Sequence, residues 1–164
     1  MLFRSAGIAR PWGVHFFVND RADIAQLSGS RGVHVGQQDL GVEQARAVIG
    51  ADGWIGVSTH NEGQFRAATQ TSADYIAVGP IFGTTTKQNT DPVVGTELIR
   101  SVRALTKKPI VAIGGITLER AAEVIEAGAA SVAVISDILC VEDPGQRARQ
   151  FIRQLEAVKP TVSH

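Results

Sequence analysis

Cysteine is almost absent from this sequence, because Cys140 is alone among 164 residues. A single cysteine excludes an internal disulfide framework and favours a reducing environment such as the cytoplasm. No cluster of cysteine and histidine has the spacing of a zinc site, and no histidine stands beside Cys140 in a recognisable motif. We therefore expect Cys140 to be a small packed residue and not a nucleophile.

An excess of charge of either sign is also lacking. Sixteen Lys and Arg residues balance sixteen Asp and Glu residues, which argues against nucleic acid or an anionic membrane as a partner. No apolar run approaches the roughly 18 residues of a membrane-spanning helix. Aromatic residues are scarce, whereas the seventeen glycines suit many tight junctions between strands and helices. The length is sufficient for one domain with a sizeable core.

Six short apolar runs alternate with amphipathic segments along the chain. This alternation predicts a parallel sheet with right-handed crossovers, and the first run, 14–18, is apolar enough for a strand buried on both faces. No Gly-x-Gly-x-x-Gly motif follows the first strand, so a dinucleotide-binding fold lacks its signature. The predicted strands are 14–18, 32–35, 54–57, 75–78, 109–113 and 131–135, and the predicted helices are 21–27, 42–49, 62–69, 96–105, 118–126 and 144–158.

The polar residues gather after the predicted strands, as on the catalytic rim of a β/α barrel. We therefore predict an α/β fold of the (β/α)8 TIM-barrel type, present as an incomplete barrel of about six parallel strands. A full barrel has eight strands, so two β/α units would have to precede Val14. The predicted organisation is an N-terminal arm or helix remnant at 1–12, a barrel-like domain at 13–158 and a flexible tail at 159–164.

The stretch 74–87 is the first candidate binding site. Its apolar strand is interrupted at Gly79-Pro80, which cannot continue a central strand. Thr84, Thr85, Thr86 and Lys87 follow. Threonine hydroxyls donate hydrogen bonds and lysine adds a mobile positive charge, so the cluster suits a phosphate. A polar loop without a ligand is the alternative interpretation, since the pattern is not a strict P-loop.

Two aspartates form the second candidate site. Asp20 and Asp39 each follow a predicted strand, and the two strands are joined by one crossover. Neighbouring strands lie about 4.8 Å apart, so the two carboxylates can share one hard cation. Mg²⁺ is favoured because it takes one or two carboxylates together with substrate phosphate oxygens and water. Each aspartate could instead cap a turn or the helix that follows it.

The last two predicted strands end in residues suited to a second phosphate contact. Gly114-Gly115 follows one strand, and Ile135-Ser136 lies at the end of the other. In β/α barrels these loops commonly bind phosphate through backbone N–H groups and the N-terminus of a helix. Phosphate at two places, a divalent cation and no evident covalent nucleophile together suit the transfer of a group activated by diphosphate.

The histidines add little to this interpretation. His34 lies within a predicted strand and is expected to be packed, although its side chain could face either side of the sheet. Ser58 and His60 could form a pair, but their spacing provides no nucleophile elbow and no acid partner. Serine-hydrolase chemistry is therefore not expected.

Seven short motifs follow one another between about Val14 and Leu155. They are Val18-Asn-Asp20, Gly32-Val-His-Val-Gly-Gln-Gln-Asp39, Ile55-Gly-Val-Ser-Thr-His60, Ala73-Asp-Tyr75, Gly79-Pro-Ile-Phe-Gly-Thr-Thr-Thr-Lys87, Ile113-Gly-Gly-Ile116 and Val132-Ala-Val-Ile-Ser136. Each motif is weak alone, but in this order and with this spacing the seven together resemble the thiamine phosphate synthase family.

The resemblance implies a Mg²⁺-dependent transferase of thiamine biosynthesis that joins hydroxymethylpyrimidine diphosphate to thiazole phosphate. In that family diphosphate leaves first, and the thiazole nitrogen captures the resulting cation without a general base. The matching motifs imply that Ser58 and Lys87 are catalytic and, with Asn19, hold the pyrimidine diphosphate. They further imply that Asp20 and Asp39 bind Mg²⁺, and that the thiazole phosphate is held by Thr84, Thr85, Thr86, Gly115, Ile135 and Ser136.

The front of the chain departs from the family pattern. The family's second strand carries a Gln-x-Arg-x-Lys type motif that grips the diphosphate, and no counterpart precedes Val14. We therefore expect either a second copy or another chain to cover the open edge of the barrel, or a truncated product with weak or absent activity alone. The alternatives are a thiazole tautomerase-like relative, against which Asp20, Asp39, Pro80 and Lys87 argue, and a non-catalytic remnant that binds thiazole phosphate or thiamine phosphate.

Overall fold

The computed structural model of the chain describes residues 2–83 and 91–158. The predictions for Thr84, Thr85, Thr86 and Lys87 and for the tail 159–164 therefore lie outside the described residues. The strands are β1 (Phe17–Asn19), β2 (Gly32–Val35), β3 (Trp54–Thr59), β4 (Tyr75–Val78), β5 (Ile110–Ile113) and β6 (Ser131–Ala133). The helices are α1 (Leu2–Ala9), α2 (Ala22–Ser28), α3 (Val42–Ile49), α4 (Glu62–Thr69), α5 (Gly95–Val102), α6 (Leu118–Glu126), α7 (Ser136–Leu139) and α8 (Pro144–Ala157).

The six strands form one parallel sheet in the order in which they occur along the chain, β1 to β6. The predicted incomplete barrel of six parallel strands alternating with helices is therefore confirmed. Because all strands run the same way, their carboxyl ends meet along one rim, where the loops to α2, α3, α4, α5, α6 and α7 begin. Among the described residues, Asp20, Asp39, Gly115 and Ser136 follow strand ends at this rim.

The two faces of the sheet differ in burial. Side chains on the helix side are buried among residues from the helices, and they are Val18, Val33, Val35, Ile55, Val57, Thr59, Ile76, Val78, Ile110 and Ala112. The strand register places Asn19, His34 and Ser58 together on the opposite face, which is concave. His34 and Ser58 are half-buried there and Asn19 is exposed. The helix side therefore holds the core, and the concave side holds side chains available for chemistry.

Helix α6 shows how the sequence builds one of the outer layers. Ala121, Val124 and Ile125 recur at helical spacing and are the buried residues of this helix. The chain leaves the helix at Gly128, whose φ of 111° is in a region that glycine tolerates best. The Gly128 N–H donates to the carbonyl of Ile125 at 2.9 Å. The predicted helix end at Gly128 thus coincides with a glycine stop.

Several predicted element ends were wrong. The first strand is Phe17–Asn19, and Val14 is 60% exposed, so the run 14–18 is not a strand buried on both faces. The physical reason is that β1 is the outer strand of the sheet and has a strand neighbour on one side only within the described residues. Strand β3 continues to Thr59, β6 ends at Ala133, and the helix predicted at 96–105 becomes a 3-10 turn after Val102.

The chain before β1 consists of α1 and a 3-10 turn, Arg10–Trp12. Ala6 of α1 is buried, whereas Trp12 is 81% exposed. The division of the chain into an arm at 1–12 and a domain at 13–158 stays a prediction. Across residues 2–83 and 91–158, no helix combines the length and the apolar character required to cross a bilayer.

Candidate active site

Asp20 and Asp39 line one open pocket at the rim of the sheet. The pocket has a volume of about 550 Å³ and lies between the loops that follow β1 and β2. Asp20 has a φ of 66°, a left-handed conformation that aspartate and asparagine adopt more readily than most residues. Its N–H donates to the carbonyl of His34 at 2.8 Å. This bond attaches the Asp20 backbone to the neighbouring strand β2.

The donor set of this pocket fits Mg²⁺. Oδ2 of Asp39 accepts a hydrogen bond from the N–H of Gly36 at 2.7 Å, while Oδ1 accepts none from the described residues. Two carboxylates leave room for the water and phosphate oxygens that Mg²⁺ prefers to keep. Across 2–83 and 91–158, no group of three or more His, Cys, Asp or Glu side chains could hold a metal. The described residues therefore form no all-protein metal cage, and a cation in this pocket would also need oxygen ligands from water or substrate.

A third aspartate in the pocket, Asp23, is already paired. Its Oδ1 accepts from Nε of Arg21 at 2.9 Å, and Arg21 also lines the pocket. The hydrogen bond from the Arg21 guanidinium lowers the pKa of Asp23 to about 2. Asp23 is thus anionic at neutral pH, but its carboxylate is paired with the Arg21 guanidinium. The carboxylate of Asp39 accepts a backbone N–H instead.

Three side chains on the concave face form a hydrogen-bonded chain across β2, β3 and β4. Nε2 of His34 lies 2.8 Å from Oγ of Ser58, and Nδ1 of His34 lies 2.9 Å from the hydroxyl oxygen of Tyr75. The rings of His34 and Tyr75 stack at a centroid distance of 5.6 Å. His34 therefore faces the concave side and is hydrogen-bonded to Ser58, a candidate site residue from the sequence.

Gly56 makes room for this arrangement. A Cβ atom at position 56 would lie 2.0 Å from Cζ of Tyr75, far inside van der Waals contact. Only glycine therefore allows the tyrosine ring to cross strand β3. The ring is held on its other side by Phe17, whose centroid lies 5.9 Å from that of Tyr75 in an edge-on contact.

Burial raises the pKa of Tyr75 to about 12. The unfolded chain should titrate near the ordinary tyrosine value of about 10. The folded chain holds the phenol proton more tightly, so this contribution to stability is fully present below pH 10 and is lost as pH rises towards 12. Tyr75 is the only tyrosine, so tyrosinate absorbance reports it alone. We expect a midpoint of about 12 in the native chain and about 10 in urea; a native midpoint near 10 would contradict the burial.

Gln37 connects the loop that carries Asp39 to strand β3. Its Nε2 donates to the backbone carbonyl of Ser58 at 2.6 Å. The loop 36–39 is therefore tied to β3 by Gln37 and closed on itself by the bond from Gly36 to Asp39. Gln37 was not singled out from the sequence, because its partner is a backbone atom of another strand.

The loops after β4 and β5 pack against each other beyond the strands. The N–H of Ile81 donates to the carbonyl of Ile113 at 2.9 Å, and that of Phe82 to the carbonyl of Gly114 at 3.0 Å. Gly115 has a φ of 62°, and a Cβ atom there would lie 2.4 Å from the carbonyl oxygen of Gly83. Glycine at 115 is thus required both by its backbone conformation and by the close approach of the neighbouring loop.

The loop after β6 is fastened to the start of α6. Ile135 directly precedes the short helix α7, which begins at Ser136, and Ile135 is 50% exposed. Oδ2 of Asp137 accepts the N–H of Leu118 at 2.8 Å, and Arg147 of α8 pairs with Asp137 at 2.9 Å. Strands β5 and β6 are neighbours, so the residues that follow them lie at the same rim. These residues include Gly115, Ile135 and Ser136.

The pairing of Ser58 with His60, which was considered from the sequence but not expected, does not occur. Ser58 is paired with His34, whereas Nδ1 of His60 lies 2.6 Å from the carbonyl oxygen of Gly79 and its Nε2 lies 3.5 Å from Asp91. The expectation that Cys140 is a small packed residue was wrong, because Cys140 is exposed directly after the short helix α7.

The sequence interpretation also missed Tyr75 as part of the site and left the direction of His34 open. Only the register between the strands relates these residues: His34 pairs with Gly56, and Gly56 pairs with Tyr75. Residues two apart in a strand share a face, so Ser58 lies on the same side as Gly56. Knowing the register between strands would have grouped these residues.

The chain is similar to known proteins of one family. The family model described as thiamine monophosphate synthase matches residues 3–138. A thiamine-phosphate synthase of Koribacter versatilis is 53% identical over 149 residues, which cover 91% of this chain and 70% of that protein. A thiamine-phosphate synthase of Bacillus velezensis is 42% identical over 161 residues, covering 98% and 71%. A bifunctional ThiM/ThiE protein of Symbiobacterium thermophilum is 44% identical, and the chain covers 32% of its length.

Solved structures provide a second comparison. The thiamine phosphate pyrophosphorylase from Pyrococcus furiosus superposes with a TM-score of 0.86 at 30% identity, covering 96% of this chain and 77% of that one. An N-(5'-phosphoribosyl)anthranilate isomerase from the same organism has a TM-score of 0.71 at 14% identity and shows the shared fold alone. Together with the family model and the relatives, the first match establishes that this chain belongs to the thiamine monophosphate synthase family.

Proposed function

We propose that this chain is a thiamine phosphate synthase, which couples hydroxymethylpyrimidine diphosphate with thiazole phosphate to give thiamine phosphate and diphosphate. The observation that carries the proposal is the pair of carboxylates, Asp20 and Asp39, in one open pocket at the rim. A reaction that expels diphosphate needs such a cation site beside hydrogen-bond donors. The relatives named thiamine-phosphate synthase support the same reaction.

The diphosphate end of the first substrate is assigned to the loops after β1, β2 and β3. Asp20 and Asp39 would hold Mg²⁺, which supplies positive charge to the departing diphosphate. Asn19 and Ser58 offer an amide and a hydroxyl as neutral donors to its oxygens. Lys87 is assigned to the same end from the sequence alone and would add a cation.

The proposed bond changes balance without a general base. The bond between the pyrimidine methylene carbon and the diphosphate oxygen breaks, and its electron pair leaves with the diphosphate. The lone pair of the thiazole nitrogen forms the new carbon–nitrogen bond, so the product ring carries the positive charge. No proton has to be removed, so the task of the protein is to position both substrates and to stabilise the leaving group.

The thiazole phosphate is assigned to the loops after β5 and β6. Gly115 and Ser136 lie at neighbouring strand ends where backbone N–H groups can meet a phosphate. Ile135 stands at the start of α7 and is half exposed. The threonines Thr84, Thr85 and Thr86 complete this half of the proposal from the sequence alone.

Neither alternative function is favoured. A thiazole tautomerase moves a proton and has no use for a cation site, whereas the pocket contains Asp20 and Asp39 beside the arginine-paired Asp23. A non-catalytic binding remnant would need only the thiazole half of the site. Relatives from Koribacter versatilis, Bacillus velezensis and Methanosarcina mazei, at 53%, 42% and 40% identity, are named as thiamine-phosphate synthases.

The two outer strands of the sheet, β1 and β6, are the proposed contact surface for a partner chain. Within the described residues β1 and β6 each pair with a single strand, and Trp12, Val14 and Ile135 are exposed near these edges. Unpaired edges invite association with another chain. We therefore propose that a second copy or another chain covers them. A cytoplasmic location, which the single cysteine favours, belongs to the same proposal.

A single-turnover assay with both substrates tests the function. We expect thiamine phosphate and diphosphate in equal amounts with Mg²⁺ and neither product with a chelator. Isomerisation of a thiazole phosphate without Mg²⁺ would contradict the proposal in favour of a tautomerase, and binding of thiamine phosphate without turnover would favour a remnant. Sedimentation velocity of the same sample tests the partner: a fully active monomer would contradict a covering chain.

A further inference from the structure

The two hydrogen bonds that link Tyr75, His34 and Ser58 can run in either of two directions, because the distances do not show which group donates in each. A neutral imidazole has one N–H donor and one acceptor nitrogen, whereas serine and tyrosine hydroxyls each donate once and accept. Two arrangements therefore fit distances of 2.9 Å and 2.8 Å. In one, hydrogen bonds run from Tyr75 to His34 to Ser58; in the other, they run from Ser58 to His34 to Tyr75.

The two arrangements give Ser58 opposite properties. If Tyr75 donates to Nδ1, the proton of His34 lies on Nε2 and is donated to Oγ of Ser58, so the serine O–H is available to another acceptor. If Ser58 donates to Nε2 instead, its single proton is used inside the protein. Ionised phosphate oxygens only accept hydrogen bonds. Only the first arrangement makes Ser58 a donor to such an oxygen.

We propose that His34 and Tyr75 are positioning residues that hold the Ser58 hydroxyl as a hydrogen-bond donor to the diphosphate of the substrate. The proposal rests on the proposed function of this pocket and deepens it. Tyr75 donates its hydroxyl proton to Nδ1 of His34. His34 then carries its own proton on Nε2 and donates it to Oγ of Ser58. The phosphate oxygen is the final acceptor at the other end.

The surroundings of Tyr75 support its part. The ring lies across Gly56, is stacked on His34 and meets Phe17 edge-on, which leaves the hydroxyl aimed at Nδ1. Burial disfavours the phenolate and keeps the tyrosine proton in place at neutral pH. Histidine tautomers are commonly set by the partner of the other ring nitrogen, and here that partner is a tyrosine that can donate.

The first arm of the test is a double-mutant cycle with Ser58→Ala and Tyr75→Phe. Phenylalanine keeps the ring over Gly56 and removes only the hydroxyl. We expect Tyr75→Phe to lower kcat/KM for the pyrimidine diphosphate about 10-fold, as expected for the loss of a hydrogen bond to a charged group, with KM for thiazole phosphate unchanged. In the Ser58→Ala background, Tyr75→Phe should add less than about 2-fold. A full additional 10-fold loss would overturn the proposal, because Tyr75 would then act independently of Ser58.

The second arm does not depend on catalysis. Nitrogen NMR of histidine-labelled chain, with His34 assigned by His34→Gln, distinguishes the two tautomers and the imidazolium. With Mg²⁺ and inorganic diphosphate present, we expect the tautomer with its proton on Nε2 in the wild type and a mixture in Tyr75→Phe. A proton on Nδ1 in the wild type, alone or with one on Nε2, would overturn the proposal. A chain without synthase turnover would refute the proposed function and leave this readout intact.

Discussion

Synthase turnover should fall at least about 100-fold when Asp20 is replaced by asparagine, with little change in melting temperature. The substitution removes one of the two carboxylates proposed to hold Mg²⁺ in this pocket, and metal stabilisation of a leaving group is worth several kcal/mol. Asparagine tolerates the left-handed conformation of residue 20, where φ is 66°. Single-turnover rates across a Mg²⁺ titration measure the loss, and the half-saturating Mg²⁺ concentration should rise.

Asp23→Asn is the matched control for this variant. Asp23 lines the same pocket, but its carboxylate is occupied by Arg21 at 2.9 Å. We expect less than about 2-fold change in rate, since an exposed ion pair contributes little. Equal losses in both variants would mean that the general negative charge of the pocket matters. The assignment of Asp20 to the cation would then be wrong.

The second large effect concerns Arg46 of α3, which joins three segments at the amino ends of the strands. Its guanidinium donates to the carbonyls of Gly50 and Gly53 after α3 and to the carbonyl of Ser72 before β4. It also pairs with Oδ2 of Asp74 at 2.7 Å, and the same oxygen accepts the N–H of Ile55 in β3. The Arg46 side chain is only 20% exposed.

Arg46→Ala should destabilise the fold by about 2–3 kcal/mol, because several carbonyls and a half-buried carboxylate lose their donor together. For a chain of this length, that corresponds to a fall in melting temperature of about 5–10 °C. Calorimetry or urea unfolding measures it. Arg66→Ala is the control, since Arg66 meets Glu62 in an exposed pair at 2.6 Å, and it should cost at most about 0.5 kcal/mol. A similar cost for both arginines would refute a joining role for Arg46.

The sequence predicts the interior elements of the fold well, because glycines and turns mark their ends. Helix α3 stops before Gly50, and β2, α4, β4 and α6 have their predicted bounds. The predicted strand ends are wrong where the burial of a residue depends on which strands lie beside it in the sheet. The apolar run at 14–18 gives no sign that it lies at the sheet edge. Thr59, a polar residue beyond the predicted end of β3, is fully buried. Its hydroxyl is satisfied there because it donates to the carbonyl of Ala77 at 2.8 Å.

The candidate site is predictable from the sequence only in part. Asp20 and Asp39 are recognisable because each follows an apolar strand, and the structure brings them to one pocket. His34, Tyr75 and Gln37 escape recognition because their partners are 21 to 41 residues away on other strands. Single-strand patterns do not contain that register. Residues that meet across strands therefore require the structure.

The order of the strands has a consequence for how the protein is made. Each strand from β2 onward pairs with the one that precedes it in the chain. As a nascent polypeptide emerges from its amino end, every new strand therefore finds its hydrogen-bonding template already synthesised. Closing each crossover spans only one helix and its loops, which keeps the entropic cost of each step low. Assembly can proceed in the direction of translation, and the rim would then be built from the pocket of Asp20 and Asp39 towards the loop after β6.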